Sequence, residues 1–124
     1  MLDQISKYLA LKYIDSSPVK IFGDFLRLNL ARNFGAAFSM ASGSSIVLAS
    51  FALAFLMATI VLLKHLRNTY WAVVAGLVIG GLLGNLCDRV FRSPGALRGS
   101  VVDWIELPHW PVFNLADTSL VCAA

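Results

Sequence analysis

Two aspartates have the type and setting to do chemistry. Asp103 lies in Gly99-Ser100-Val101-Val102-Asp103-Trp104-Ile105, and Asp117 lies in Pro111-Val112-Phe113-Asn114-Leu115-Ala116-Asp117. Each follows apolar residues at the edge of an apolar stretch. Acidic groups at membrane depth are costly and by default suggest a functional site. If a helix–loop–helix arrangement brings the two together, their like charges raise one pKa and let the pair share a proton. One carboxylate can then act as general base on a water while its protonated partner polarises a peptide carbonyl. The alternative is that both are exposed helix caps, and spacing alone leaves the two readings open.

Other residues offer less. Asp3 and Lys7 are four apart and share one helix face, which predicts a local ion pair or an interfacial anchor. Asp88-Arg89 places opposite charges side by side at a helix end, an arrangement that lowers the cost of burial. Gly76, Gly80 and Gly84 recur every four residues and predict one face for close helix packing. Trp71, Trp104, Trp110 and Tyr70 suit a membrane interface. His109 has no partners at metal-ligand spacing, and Cys87 and Cys122 do not supply them, so neither a metal nor any other cofactor is expected. The same cysteines, in apolar surroundings, read as small buried hydrophobes. There is no Gly-x-Ser-x-Gly, P-loop or dinucleotide fingerprint.

The elements that must position these groups are mostly apolar. Of the 124 residues, 58% are hydrophobic and 14% charged, against roughly 45–50% and about 25% in soluble domains. Two uncharged runs cause the displacement, Asn33 to Leu63 and Asn68 to Cys87, and each reaches the ~20 residues of a spanning helix. An integral membrane protein is expected, with spanning helices over about Ser45 to Leu63 and Thr69 to Cys87. Ser42-Gly43-Ser44-Ser45 supplies N-cap candidates for the first of these. Met1 to Ile14 is helical in composition but short, and Ser16-Ser17-Pro18 breaks it. Leu26 to Arg32 begins with the period-two alternation of a half-buried strand. Asp88 to Pro111 is polar and turn-rich, with Phe91 to Arg98 a surface loop.

The net charge is +3, yet the basic residues flank the apolar runs instead of forming one patch, which points to lipid headgroups and away from nucleic acid. Lys64-His65-Leu66-Arg67-Asn68 is basic and free of acids, so this turn is expected in the cytoplasm, with Asp15 to Arg32 and Arg89 to His109 on the outer side.

Several stretches together resemble one family. Asp3-Gln4-Ile5-Ser6-Lys7, Arg32-Asn33-Phe34-Gly35-Ala36-Ala37-Phe38-Ser39, Gly80-Gly81-Leu82-Leu83-Gly84-Asn85-Leu86-Cys87-Asp88-Arg89, Val101-Val102-Asp103 and Phe113-Asn114-Leu115-Ala116-Asp117 look, in that order, like motifs of the bacterial lipoprotein signal peptidases, signal peptidase II. The resemblance implies an aspartyl intramembrane endopeptidase that cuts the signal peptide from a lipid-modified prolipoprotein before its lipidated cysteine, with Asp103 and Asp117 catalytic. It implies site-supporting or substrate-binding places for Asn33, Gly35, Asn85, Arg89, Asn114 and Ala116, and motif places for Asp3, Lys7 and Asp88. Asn33 and Asn85 could equally tie helices together, whereas Asn114, three residues before Asp117, points to the site. The implied fold is an all-α integral membrane bundle of four transmembrane helices with a small extracytoplasmic β-structure. On that expectation residues 1–124 form a single membrane-embedded peptidase domain, monomeric and multi-pass in the bacterial cytoplasmic (inner) membrane. Against that family the first and last helices look truncated here. Two alternatives are a small proton-coupled transporter, whose acid should sit nearer mid-helix, and an inactive lipoprotein-binding fragment.

Overall fold

The computed structural model describes residues 1–35 and 44–124. Within them the chain forms α1 (Leu2–Tyr13), β1 (Val19–Phe22), β2 (Leu26–Asn33), α2 (Ser44–Leu63), α3 (Thr69–Phe91), β3 (Val101–Glu106) and α4 (Leu115–Ala123). The motif residues Ala36 to Ser39 and the cap candidates Ser42 and Gly43 lie outside the described residues.

The long helices follow from composition. α2 is apolar around its whole circumference and buries little of itself against the rest of the chain. Such a helix needs an apolar solvent. α3 starts where the Asn68 side chain accepts from the Tyr70 N–H at 2.8 Å, satisfying one of the orphan donors of the first turn. Both helices are long and apolar enough to cross a membrane. α1, with 12 residues, and α4, with nine, are too short on their own.

α3 is the central element, with α2 on one side and α4 on the other. Ala49 and Leu56 of α2 meet Leu82 and Leu86 of α3 in a buried cluster, flanked by Leu97 and Leu120. α3 also runs one turn further than expected, to Phe91, because Asp88 and Arg89 are buried and partnered instead of ending the helix in solvent.

The small β-structure is a three-stranded antiparallel sheet in the order β1-β2-β3. β2 matches the alternating segment seen in the sequence. β1 and β3 were not anticipated, since β1 is only four residues long and every one is exposed. β3 has the burial pattern of a strand whose first half is wholly enclosed, and it lacks the alternation that a half-buried strand shows. It pairs with β2 through Ala31 opposite Asp103 and Asn33 opposite Val101. Phe113 then hooks the next segment to β3: its carbonyl accepts from the Trp104 and Ile105 N–H groups at 3.0 and 2.9 Å, and its own N–H donates to the Ile105 carbonyl at 2.9 Å. That hook fixes where α4 begins.

Candidate active site

Asp103 therefore stands on a strand, and Asp117 in the first turn of a helix. The expected helix–loop–helix is replaced by strand–hook–helix. The residue immediately after the hook, Asn114, joins the two carboxylates. Its Nδ2 donates to Asp103 Oδ1 at 2.6 Å. Its Oδ1 accepts from the Asp117 N–H at 3.0 Å, and its own N–H donates to Asp117 Oδ2 at 3.2 Å, which together make a capping box at the start of α4. The cap alternative thus holds for Asp117 in part: it caps a helix and also faces Asn85. Asp103 caps nothing and is 3% exposed.

A second amide closes the arrangement. Asn85, on α3, donates through Nδ2 to Asp117 Oδ1 at 2.7 Å, while its Oδ1 accepts from Asn114 Nδ2 at 3.2 Å and from Lys7 Nζ at 3.1 Å. Burial pushes the Asp103 carboxyl up to about 6. The Asn114 hydrogen bond opposes this, the charge of Asp117 adds to it, and Asn33 and Lys7 oppose it. A carboxyl held there, beside a second one, can keep a proton near neutral pH while its partner stays available as a base.

Behind the amides lies a buried ionic cluster. Lys7 is fully buried, which excludes the interfacial-anchor expectation. Its ammonium lies 2.8 Å from Asp3 and 2.9 Å from Asp88. Asp88 also accepts from Arg92 Nε at 2.7 Å, from Gln4 Nε2 at 3.1 Å and from the Val102 N–H at 3.1 Å. The last bond ties α3 to β3 next to Asp103. Asp3 accepts from the Ala116 N–H at 3.0 Å, so α1 and α4 meet beside Asp117. The local Asp3–Lys7 pair expected from spacing is present, as part of something larger.

Asp88 and Arg89 do not pair with each other. Neighbours on a helix point in directions ~100° apart and cannot face one another. Arg89 instead donates to the Ser45 hydroxyl at 2.7 Å, and Ser45 Oγ reaches the Leu97 carbonyl at 3.3 Å. This bond holds the start of α2 to the end of α3. Asn33 is exposed, and its Oδ1 accepts from the Gly35 N–H at 2.8 Å. Gly35 has φ +107°, and a Cβ there would come within 3.0 Å of Leu48 and 3.2 Å of Ser45 Cα. The residue accordingly takes, just after β2, a backbone conformation that L side chains rarely adopt. Ala116 is buried at 1% exposure.

The four-residue glycine stripe is not the packing face. Among the described residues nothing lies within 4 Å of a Cβ placed on Gly76 or Gly80, whereas one on Gly81 would come within 2.6 Å of the Ala116 carbonyl and of Leu120 Cγ. The close approach of α3 to α4 runs through Gly81 and Gly84, spaced by three. Of the thiols expected to be buried, Cys87 is half-buried and Cys122 exposed. Among the described residues no three His, Cys, Asp or Glu side chains gather as metal ligands.

An open groove of about 320 Å³ leads to the site. Leu107, Trp110, Phe113, Thr118 and Val121 give it almost wholly apolar walls, and Asp117 is its acidic lining residue. Gln4, Arg92 and Ser45 carry much of the polar scaffold and are not among the site residues the sequence predicts, although Ser45 is a cap candidate and Gln4 lies in the first motif. The contact of Arg92 had a signal, its four-residue spacing from Asp88, while those of Gln4 and Ser45 had none outside the fold.

Helices apolar enough to cross a membrane, together with two carboxylates hydrogen-bonded to a common asparagine, mark a membrane protein with a candidate acid–base pair. The chain belongs to the signal peptidase II family, whose model matches residues 1–124. It is similar to the lipoprotein signal peptidase of Rhodococcus jostii (strain RHA1), 46% identical over 98% of this chain and 62% of that protein. It is similar also to those of Mycobacterium avium (strain 104), 46% identical over 99% of this chain and 68% of the relative, and Mycolicibacterium smegmatis, 47% identical over 99% and 53%. The chain thus spans between 53% and 68% of the length of these relatives. Two solved structures of a bacterial membrane enzyme, obtained by the in meso method, superpose with TM-scores of 0.82 and 0.83. They are 28% and 29% identical, and each covers 98% of this chain, with 75% and 79% of their own lengths. The transporter alternative finds no support among these relatives.

Proposed function

We propose that these residues form the active site of an aspartyl intramembrane endopeptidase that removes the signal peptide from diacylglyceryl-modified prolipoproteins, just before the lipidated cysteine. The observation that carries this is the suspension of Asp103 and Asp117 from one buried asparagine in a chain whose family is signal peptidase II. The pair shares one proton, and burial favours Asp103 as its holder. Asp117 takes a proton from water as the water oxygen attacks the scissile carbonyl carbon. Asp103 gives its proton to the carbonyl oxygen. As the tetrahedral intermediate collapses, the C–N bond breaks, the amine leaves with the proton from Asp117, and Asp103 recovers its own from the hydroxyl. Asn114 and Asn85 keep the carboxylates in place throughout, and the apolar groove beside Asp117 lodges apolar parts of the substrate.

The site draws on α1, α3, β3 and α4 at once, which supports treating residues 1–124 as one membrane-embedded domain that works as a monomer. In the proposed cellular form α1 and α4 belong to two further spanning helices of a four-helix bundle in the cytoplasmic membrane, consistent with the greater length of the relatives. Lipids and the prolipoprotein are its partners. In the full-length protein, Asp103→Asn and Asp117→Asn should each lower cleavage by about 10⁴-fold or more, and the double variant little further, because groups acting as a unit are non-additive. Asn85→Ala should cost less, since it loosens positioning without deleting a proton-transfer group. The assay is the mobility shift of a lipid-modified precursor in reconstituted membranes. Full cleavage by either Asp→Asn protein would remove the dyad assignment.

A further inference from the structure

Resting on that function, we propose that Lys7 is a positioning residue for cleavage: from α1 it fixes the orientation of the Asn85 amide, and through it the placement of Asp117. An asparagine amide has a donor end and an acceptor end of nearly the same shape, and only its partners decide which end points where. Asn85 must present its nitrogen to Asp117, because a carboxylate accepts and cannot donate when ionised. Lys7 enforces that choice together with Asn114, whose Nδ2 donates to the same oxygen at 3.2 Å, and Lys7 is the charged donor of the two. Its ammonium has donors and no acceptor, and it sits 3.1 Å from Asn85 Oδ1. If the amide turned over, its NH₂ would face both the ammonium and the Asn114 NH₂ while its oxygen faced Asp117, losing all three bonds.

The ammonium is itself immobilised. It is fully buried and held at 2.8 Å by Asp3 and at 2.9 Å by Asp88. Asp88 is fixed in turn by Arg92, Gln4 and the Val102 N–H. The charged groups around Lys7 are thus Asp3 on its own helix, Asp88 and Arg92 on α3, and Asp117 on α4 beyond Asn85, with Asp103 on β3 feeling its charge. Nothing in acid–base chemistry requires a lysine on α1. Its use in holding one amide gives this buried cluster a part in the reaction.

The test is a double-mutant cycle on the full-length protein in reconstituted membranes, scored by kcat for a lipid-modified precursor. Lys7→Met leaves two anions without their cation, so it is combined with Asp3→Asn, which keeps the net charge of the cluster. That pair should lower kcat by about tenfold or more, the worth of a lost bond to a charged donor, and change KM by less than about twofold. Added to Asn85→Ala, it should cost almost nothing further, because both act on one amide. Lys7→Arg keeps charge and donors and should recover most of the loss. A merely structural lysine would give the opposite pattern, with factors that multiply and no rescue by arginine. That pattern, or an unchanged kcat, would overturn the inference while Asp103→Asn and Asp117→Asn in the same assay stay inactive. Activity in those two controls would overturn the dyad and this inference together.

Discussion

At the scale of single residues, the proposed mechanism has Asp103 trade stability for reactivity. Its carboxyl is raised from an ordinary 3.8 to about 6 in the fold, first by burial. Below pH ~4 the group is protonated whether folded or not, and it costs nothing. As pH rises from about 4 to about 6 the unfolded chain gives up this proton while the folded chain still holds it, so stability falls across this window and levels off above it. Asp103→Asn removes the titration and can still accept from Asn114. The variant should therefore be more stable than the parent at pH 7–8, by on the order of 2–3 kcal/mol, and match it only near pH 3, below both values. Thermal unfolding in detergent micelles at the two pH values measures this. A variant no more stable than the parent at pH 8 would mean that the charge at Asp103 is not disfavoured by its surroundings. The aspartates themselves were legible in the sequence, because acids beside apolar runs are conspicuous. Their connection through Asn114 and Asn85 was not. A side-chain amide advertises no partner until a fold supplies one.

At the scale of elements, the spanning helices α2 and α3 and the strand β2 could be seen in advance, since uncharged length and alternation are local properties. The strand that carries Asp103 could not. β3 is recognisable only from what surrounds it, β2 on one side and the Phe113 hook on the other. The helix contact was misjudged for a similar reason. Four-residue spacing picks out Gly76, Gly80 and Gly84, but the face that α4 covers is set by the hook, and it falls on Gly81 and Gly84. This separates two substitutions one residue apart. Gly81→Ala places a methyl 2.6 Å from a backbone carbonyl that cannot swing away, so α4 must move and carry Asp117 with it. Gly80→Ala meets no described residue within 4 Å and raises helix propensity by as much as about 1 kcal/mol. Precursor cleavage should fall at least about tenfold in the first, the scale of overpacking at 1–3 kcal/mol, and persist in the second. Equal activity in the pair would show that α3 and α4 are not in close contact in the working protein.

At the scale of the whole molecule, the polar chemistry is gathered at one end. α2 begins, and α3 ends, beside the sheet: the Arg89–Ser45 bond joins those ends, and Val102 of β3 donates to Asp88. The basic turn Lys64 to Asn68 lies at the other end of both helices. If α2 and α3 cross the bilayer, the sheet and the carboxylates emerge on one face and the basic turn on the other. Two Lys/Arg and no acids in that turn would then put it on the cytoplasmic side by the positive-inside rule. The dyad would then work at the outer surface of the cytoplasmic membrane, where an exported precursor presents its cleavage site. Single cysteines introduced by His65→Cys and Arg98→Cys, after replacement of Cys87 and Cys122, report the two ends, since His65 and Arg98 are both exposed. In intact cells a membrane-impermeant thiol reagent should label position 98 and leave position 65 unlabelled until the membrane is opened. Labelling of 65 alone would invert the orientation and put the carboxylates on the cytoplasmic face. Labelling of both would mean that α2 and α3 do not span. Either result would move the chemistry away from the side on which the substrate's cleavage site is exposed.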